Sequence, residues 1–301
     1  MGVLVVGTVT LDTVETPSKR VENVLGGSGV YAAVAASFFG NTVQLVGVVG
    51  ADFPHAYTDF LQTRGIDLQG LEWVEDGKSF RWGGRYAEDF NVRDTLFTEL
   101  NVIEDFQPVL PEAYKDTPYL FLANNSPVLQ LSIIEQATSP KLIVCDTMDF
   151  WIDEEREALE ALLARVDVLI LNDSEARLLT GDANLVRAAE AILRYGPERV
   201  IVKKGEHGAI SVTESSYFNA PAYPLTQVTD PTGAGDSFAG GMMGYLASVG
   251  DISEAAIRSA MVYGAVVASF NIEDFSVERQ KRVAFSEISS RYQELREAAR
   301  F

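Results

Sequence analysis

Cysteine is nearly absent from this chain: Cys145 is the only one in 301 residues. No internal disulfide can form, and its setting in the apolar run Leu142-Ile-Val-Cys-Asp146 reads as core packing, not as a nucleophile. Histidine is almost as scarce. His55 and His207 are the only two, and neither stands in a Cys/His cluster, so a zinc site is excluded. Positive charge is short as well: 24 Lys and Arg face 43 Asp and Glu, a net charge of −19. Such a surface repels nucleic acid and anionic membrane, and neither is expected as a partner. No uncharged apolar stretch approaches the roughly 20 residues that span a bilayer. No basic region precedes the first apparent strand, so a cytoplasmic protein is expected. Two nucleotide-binding signatures are also missing. Gly-x-Gly-x-x-Gly does not follow the first strand, which argues against a Rossmann dehydrogenase. Gly77-Lys-Ser79 imitates the end of a P-loop, but that motif needs a glycine five positions earlier, where Glu72 stands.

What the chain has is apolar content, 47% hydrophobic residues, and a length that suits one large α/β unit over residues 1–301. Val3–Val6, Val43–Val49, Tyr119–Leu122, Leu142–Cys145, Val168–Leu171 and Arg199–Lys203 read as buried strands. Between several of them lie segments of helical spacing, such as 30–39, 154–163 and 185–195. Buried strands alternating with helices predict a mostly parallel sheet covered by helices on both faces. Ligands of such sheets bind beyond the carboxyl ends of the strands. Candidate motifs follow residues 6, 171, 203 and 229, all at such ends. No internal repeat and no low-complexity tract is present. The segment 277–299 carries Phe285, Ile288, Tyr292, Leu295 and Ala299 on one helical face, expected to pack on the sheet.

One region breaks the alternation. Lys78–Tyr86 and Asp94–Ile103 alternate apolar and polar residues, with Gly83-Gly84 read as a turn. Together with residues 10–24, the segment 72–103 is expected to form a small antiparallel lid. Phe80, Trp82 and Tyr86 share parity. Two roles are open to them: covering a bound substrate, or packing the lid against a second subunit of a homodimer.

The most informative run is Asp230-Pro-Thr-Gly-Ala-Gly-Asp-Ser-Phe-Ala-Gly-Gly241. It follows a turn-prone Pro/Thr segment and enters a run that reads as a buried helix. The small residues Gly233, Ala234 and Gly235 let backbone amides approach a ligand at the positive end of that helix, which is how proteins hold phosphate. Asp236 stands directly behind them. An anion cradle with a base beside it describes a group-transfer centre.

This run resembles the C-terminal signature of the ribokinase-like, or PfkB, family of sugar and nucleoside kinases. Three weaker matches follow the family's order: Leu25-Gly-Gly-Ser-Gly-Val-Tyr-Ala-Ala33, Asn172-Asp-Ser-Glu175 and Val202-Lys-Lys-Gly-Glu-His-Gly208. The resemblance implies an ATP-dependent phosphotransferase that acts on a hydroxyl of a small sugar or polyol, and a ribokinase-like fold with the same lid. A nucleoside kinase is the alternative within the family, and a catalytically weak sugar or nucleoside sensor the alternative outside it. ATP would lie near Asn172, Glu175, Lys203, Lys204, Gly205 and Thr232, with Asp236 as general base. Asn172 and Glu175 would hold Mg²⁺ through water. Their spacing equally makes a helix capping box, and one residue can serve both. The family also leaves room for a monovalent cation. Asp12, after the first strand, can accept bonds from vicinal hydroxyls and by resemblance binds the acceptor, with Gly26 and Gly27 admitting backbone close to the sugar. Members of the family often carry Asn where Tyr31 stands, which counts against ribose itself as the acceptor. The segment Cys145–Trp151 also follows a strand and is a candidate lining of the acceptor pocket.

Overall fold

A computed structural model of the chain describes residues 1–90 and 93–300. The chain opens with β1 (Gly2–Val6), β2 (Thr10–Glu15), β3 (Arg20–Gly26) and α1 (Ser28–Ser37). Then come β4 (Thr42–Gly50), α2 (His55–Thr63), β5 (Ile66–Val74), β6 (Phe80–Tyr86) and β7 (Arg93–Glu99). The middle alternates through β8 (Tyr119–Leu122), α3 (Pro127–Gln136), β9 (Leu142–Asp146), α4 (Asp149–Glu154), α5 (Arg156–Leu163) and β10 (Val168–Asn172). After α6 (Asp173–Thr180), α7 (Leu185–Leu193) and β11 (Arg199–Lys203), a hairpin forms from β12 (Ala209–Val212) and β13 (Tyr217–Ala220). Three helices finish the chain: α8 (Ala234–Val249), α9 (Glu254–Asn271) and α10 (Phe285–Ala298).

The large sheet has the order β13-β12-β11-β10-β9-β8-β1-β4-β5. Every pair from β11 to β5 is parallel, and the hairpin adds two antiparallel strands at one edge. Successive residues of a strand point to opposite faces, and both faces here are covered. Val3 and Val5 of β1 pack with Val30 of α1, Met242 of α8 and Met261 of α9, while Leu4 and Val6 pack with Ile133 of α3, Leu159 of α5 and Ile192 of α7. That is why these strands read as unbroken apolar runs. The expected α/β fold with a mostly parallel sheet is present. Cys145 is buried in the second of these clusters.

The small sheet has the order β3-β2-β6-β7. It is antiparallel within each hairpin, β2 with β3 and β6 with β7, but the two hairpins join through a parallel pair, β2 with β6. The chain leaves β3 for α1, β4, α2 and β5 before it returns as β6, so nothing local sets that direction. Residues 72–74, expected in the lid, end β5 of the large sheet. The expected range 72–103 also includes residues 91 and 92, which lie outside the described residues.

Gly83-Gly84 is not a turn. Both lie inside β6, where a Cβ on Gly83 would stand 2.4 Å from the Phe97 ring and one on Gly84 2.1 Å from the Trp82 ring. The glycines make room for aromatic rings that cross the strand. The C-terminal helix also differs from expectation. Ile288 and Leu295 of α10 pack with Phe38, Val266 and Phe270, so α10 lies on the helix layer of α9 and the end of α1, not on the sheet. Both faces of the sheet are already occupied by other helices.

Helices α1 and α8 lie almost in backbone contact. A Cβ on Gly240 would stand 2.2 Å from the Ala32 carbonyl, and one on Gly244 2.7 Å from that of Ala36. This small-residue seam sets the amino ends of the two helices side by side, at the carboxyl edge of the sheet. Among the described residues, no helix is long and apolar enough to cross a membrane.

Candidate active site

The loop before α8 is built by Asp230. This fully buried carboxylate accepts a bond from the Thr232 amide at 2.9 Å through Oδ1 and one from the Ser276 amide at 3.4 Å through Oδ2. Burial pushes it above the usual aspartate range, against the pull of the Thr232 bonds. The turn ends at Gly233, which caps α8 with φ 75°, a left-handed conformation that glycine takes without strain. The Ala234 amide, expected to face a ligand, donates instead to the Pro231 carbonyl at 3.1 Å, which braces the loop. First-turn amides such as that of Gly235 have no acceptor within their own helix. They face outward at the positive end of α8.

Asp236 lies in that first turn. Burial raises its carboxyl from 3.8 to about 6, helped by the charge of Asp146 and opposed by Lys203 and by Arg93 of β7. Lys203 ends β11. Its ammonium donates to Asp146 Oδ2 at 2.7 Å and lies where a Cβ on Gly235 would be, 2.8 Å away. Burial alone would lower this lysine, but the charges of Asp146, Glu175 and Asp236 outweigh it and hold the ammonium above its ordinary range. The residue that sequence reasoning left without a role is Asp146, at the carboxyl end of β9. A lone acid closing an apolar strand was the available signal.

Asn172 and Glu175 form the capping box of α6. Asn172 Oδ1 accepts from the Glu175 amide at 2.8 Å and from Ser174 Oγ at 2.6 Å, and Glu175 Oε2 accepts from the Asn172 amide at 2.6 Å. Burial pushes the Glu175 carboxyl up, Lys203 draws it down, and Asp146 adds to the rise. Lys204 does not join Lys203. Its side chain reaches Asn219 of β13 at 2.9 Å, on the exposed side of the hairpin. Gly205 opens the short 3₁₀ turn Gly205–His207 with φ 54° and open space around it.

Across from α8, the small sheet presents Asp12. Its side chain is 3% exposed and accepts from Thr10 Oγ1 at 2.6 Å. Burial raises it to about 7, against the Thr10 bond and with help from the charges of Asp230 and Asp236. A Cβ on Gly26 would stand 1.9 Å from Asp12 Oδ2, and one on Gly27, at φ 102°, 2.3 Å from the Thr8 carbonyl. Both glycines are therefore required by close approach. Tyr86 of β6 ties the small sheet to the loop, since Thr232 Oγ1 donates to its hydroxyl at 3.0 Å. Tyr86 and Trp82 also pack with Val14 and Phe275, facing the body of the molecule. From the segment after β9, Trp151 donates through Nε1 to Asn124 Oδ1 at 2.9 Å, beside the amino end of α1, where Ser28 Oγ donates to the Asn124 carbonyl.

The open amino end of α8, the half-buried Lys203 ammonium beside it, the Asp236 carboxyl in its first turn and the buried Asp12 carboxyl of the small sheet are thus gathered at the carboxyl ends of the strands. Residues 2–278 match the pfkB family of carbohydrate kinases. The chain belongs to the pfkB family. It is 29% identical to the cytidine kinase of Thermococcus kodakarensis over 249 residues, covering 81% of this chain and 87% of that one. With a nucleoside kinase of Methanothermobacter thermautotrophicus it shares 27% identity, covering 86% and 82% of the two chains. Among solved structures, Burkholderia thailandensis nucleoside kinase in complex with inosine superposes with a TM-score of 0.80 at 18% identity, covering 98% and 97%. An E. coli ribokinase II in complex with ATP and Mg²⁺ superposes with a TM-score of 0.78 at 20% identity, covering 97% and 99%. These structural likenesses show the ribokinase fold. As a pfkB member, the protein is a carbohydrate or nucleoside kinase.

Proposed function

We propose that this pfkB kinase transfers the γ-phosphoryl group of ATP to a hydroxyl of a small sugar or nucleoside, with Asp236 as the general base. The observation that carries this reading is Asp236 in the first turn of α8, with the Lys203 ammonium against Gly235 in the same turn. Asp236 takes the proton of the acceptor hydroxyl as its oxygen attacks the γ-phosphorus and the bond to the bridging oxygen of ADP breaks. The amides of Gly233 and Gly235, with Ala234 bracing the loop, and the Lys203 ammonium stabilise the charge on the transferred group. A carboxyl raised to about 6 is ionised at neutral pH yet more basic than an ordinary aspartate, which suits this step. Asp12 orients the acceptor through its hydroxyls, and Gly26 and Gly27 serve it indirectly, since the space their missing Cβ atoms leave is taken by Asp12 Oδ2 and by the Thr8 carbonyl. Thr232 holds the small sheet as a lid through Tyr86, and a closed lid excludes water that would otherwise take the phosphoryl group. Lys204 and Gly205 frame the nucleotide side from the turn after β11.

The donor set at α6 fits a magnesium ion carried by the nucleotide. It supplies oxygen only, and Asn172 Oδ1 is already engaged twice, which leaves Glu175 Oε1 to hold a metal-bound water. Among the described residues, no cluster of three or more His, Cys, Asp or Glu could cage a metal by itself. When bound, magnesium neutralises phosphate charge. A cytoplasmic setting, where ATP is supplied, belongs to this reading.

Of the two acceptor classes, the nucleoside is favoured by the relatives, since a cytidine kinase and a nucleoside kinase each match over more than four-fifths of this chain. The test is a screen of sugars and nucleosides with ATP·Mg²⁺, read by ADP release, with and without potassium. Turnover confined to nucleosides establishes that class. If no member of the panel elicits ADP release, phosphoryl transfer gives way to the sensor reading.

A further inference from the structure

Asp146 closes β9, is buried, and has a partner for each of its carboxylate oxygens. Oδ1 accepts from the Thr147 amide at 2.9 Å and Oδ2 from the Lys203 ammonium at 2.7 Å. Its backbone is fixed as well. Gln130 Nε2 of α3 donates to the Asp146 carbonyl at 3.1 Å and to those of Leu122 and Ala123 at the end of β8. The carboxylate is therefore held in one orientation. Lys203 ends β11, and β10 lies between β11 and β9. Neighbouring strands are about 4.8 Å apart, so the lysine crosses the carboxyl end of β10 to reach its partner. The crossing lays the ammonium beside Gly235 in the first turn of α8. Three acids face that ammonium: Asp146, Glu175 and Asp236. Among the described residues, Asp146 is the one of the three that bonds to it, while Glu175 is engaged in the capping box of α6. A buried ion pair adds little stability over a well-packed apolar pair, and one cation among three acids leaves an excess of negative charge that the fold does not require.

We propose that Asp146 is a positioning residue for phosphoryl transfer: it anchors the Lys203 ammonium beside Gly235 and keeps it from closing on Asp236. The cation is then left to the phosphates and the Asp236 carboxylate to the acceptor hydroxyl. An ammonium bonded to Asp236 would occupy a lone pair of the base and make it less basic. Asp146 itself touches neither substrate and acts through Lys203 alone. This role rests on the reading of Lys203 as a phosphate contact.

The experiment is a double-mutant cycle of Asp146→Asn and Lys203→Met, read by ADP release on the best acceptor of the screen and expressed per folded molecule. The single oxygen of asparagine can serve the Thr147 amide or the ammonium but not both, so the anchor is lost without a change in size. Asp146→Asn should lose about 10- to 100-fold in kcat, the cost of a misplaced group, with the KM for the acceptor unchanged. Lys203→Met should lose about 10²- to 10³-fold. In the Lys203→Met background, Asp146→Asn should cost less than about threefold, since no ammonium is left to place. An equal loss in both backgrounds overturns the assignment. So does an unchanged kcat for Asp146→Asn alone, or a magnesium requirement that Asp146→Asn raises even without Lys203. If Asp146→Asn does not fold, Asp146→Glu, which keeps the charge but moves the anchor by one methylene, takes its place in the cycle under the same criteria. A fully active Lys203→Met removes the phosphate contact, and the role of Asp146 with it; an impaired Lys203→Met beside an unimpaired Asp146→Asn removes only the latter.

Discussion

Asp236→Asn separates catalysis from stability more sharply than any other single change. Asparagine keeps the size of the side chain and one acceptor oxygen but cannot take a proton. Loss of a general base typically costs about 10²–10⁴ in rate, so kcat should fall by that factor. ATP binding should hold or improve, because a negative charge leaves the neighbourhood of the phosphates. Stability should move the other way. The folded carboxyl titrates at about 6 instead of 3.8, so ionisation is disfavoured in the native state. A raised folded value contributes stability that is present in full below pH 3.8 and is lost as pH rises through about 6. Asparagine never ionises and escapes that loss. The difference between variant and wild type should therefore be near zero below about pH 4, grow between about pH 4 and 6, and level off above, at no more than about 3 kcal/mol. For a chain of this size that raises the melting temperature by up to about 6 °C at about pH 8. The assays are ADP release on the best acceptor and thermal melting across that pH range. A variant that keeps more than a tenth of wild-type kcat refutes Asp236 as the base, and a melting difference that does not grow with pH refutes the account of its burial.

Three further outcomes are expected. Asp12→Ala should lower acceptor kcat/KM by about 10- to 150-fold while leaving the KM for ATP alone; equal losses for both substrates would remove it from the acceptor side. Asn172→Ala with Glu175→Ala should raise the magnesium concentration needed for half-maximal rate, and a double mutant that unfolds with normal activity per folded molecule would leave the capping box as its whole role. Gly235→Ala should keep its melting temperature, since alanine suits a helix and only the flexible end of Lys203 must move, but should lower kcat by about 10- to 100-fold through the displaced ammonium; full activity would show that Lys203 does not touch the phosphates.

Much of the candidate site's local structure is legible in the sequence because its parts are local. Asp236 directly behind Gly233-Ala-Gly235, the Asn172–Glu175 box and the apolar strands Val3–Val6 and Val168–Leu171 each depend on residues a few positions apart, and short-range geometry decides them. The half-exposed edge strands are less visible: β5 buries only Ile66 and Leu71 and β13 only Ala220, so neither shows a continuous apolar run or a clean alternation. What only the tertiary structure decided are the meetings of distant residues. Lys203 finds Asp146 across 57 positions, Thr232 finds Tyr86 across 146, and Tyr31 lies on Gly233 because Gly240 and Gly244 let α1 and α8 touch. The parallel join of β2 to β6, the rings crossing Gly83 and Gly84, and the seat of α10 on α9 are of the same kind. Spacing along a chain determines which face a residue takes within its own element. Which element then covers that face depends on how all the others have packed, and no local pattern contains it.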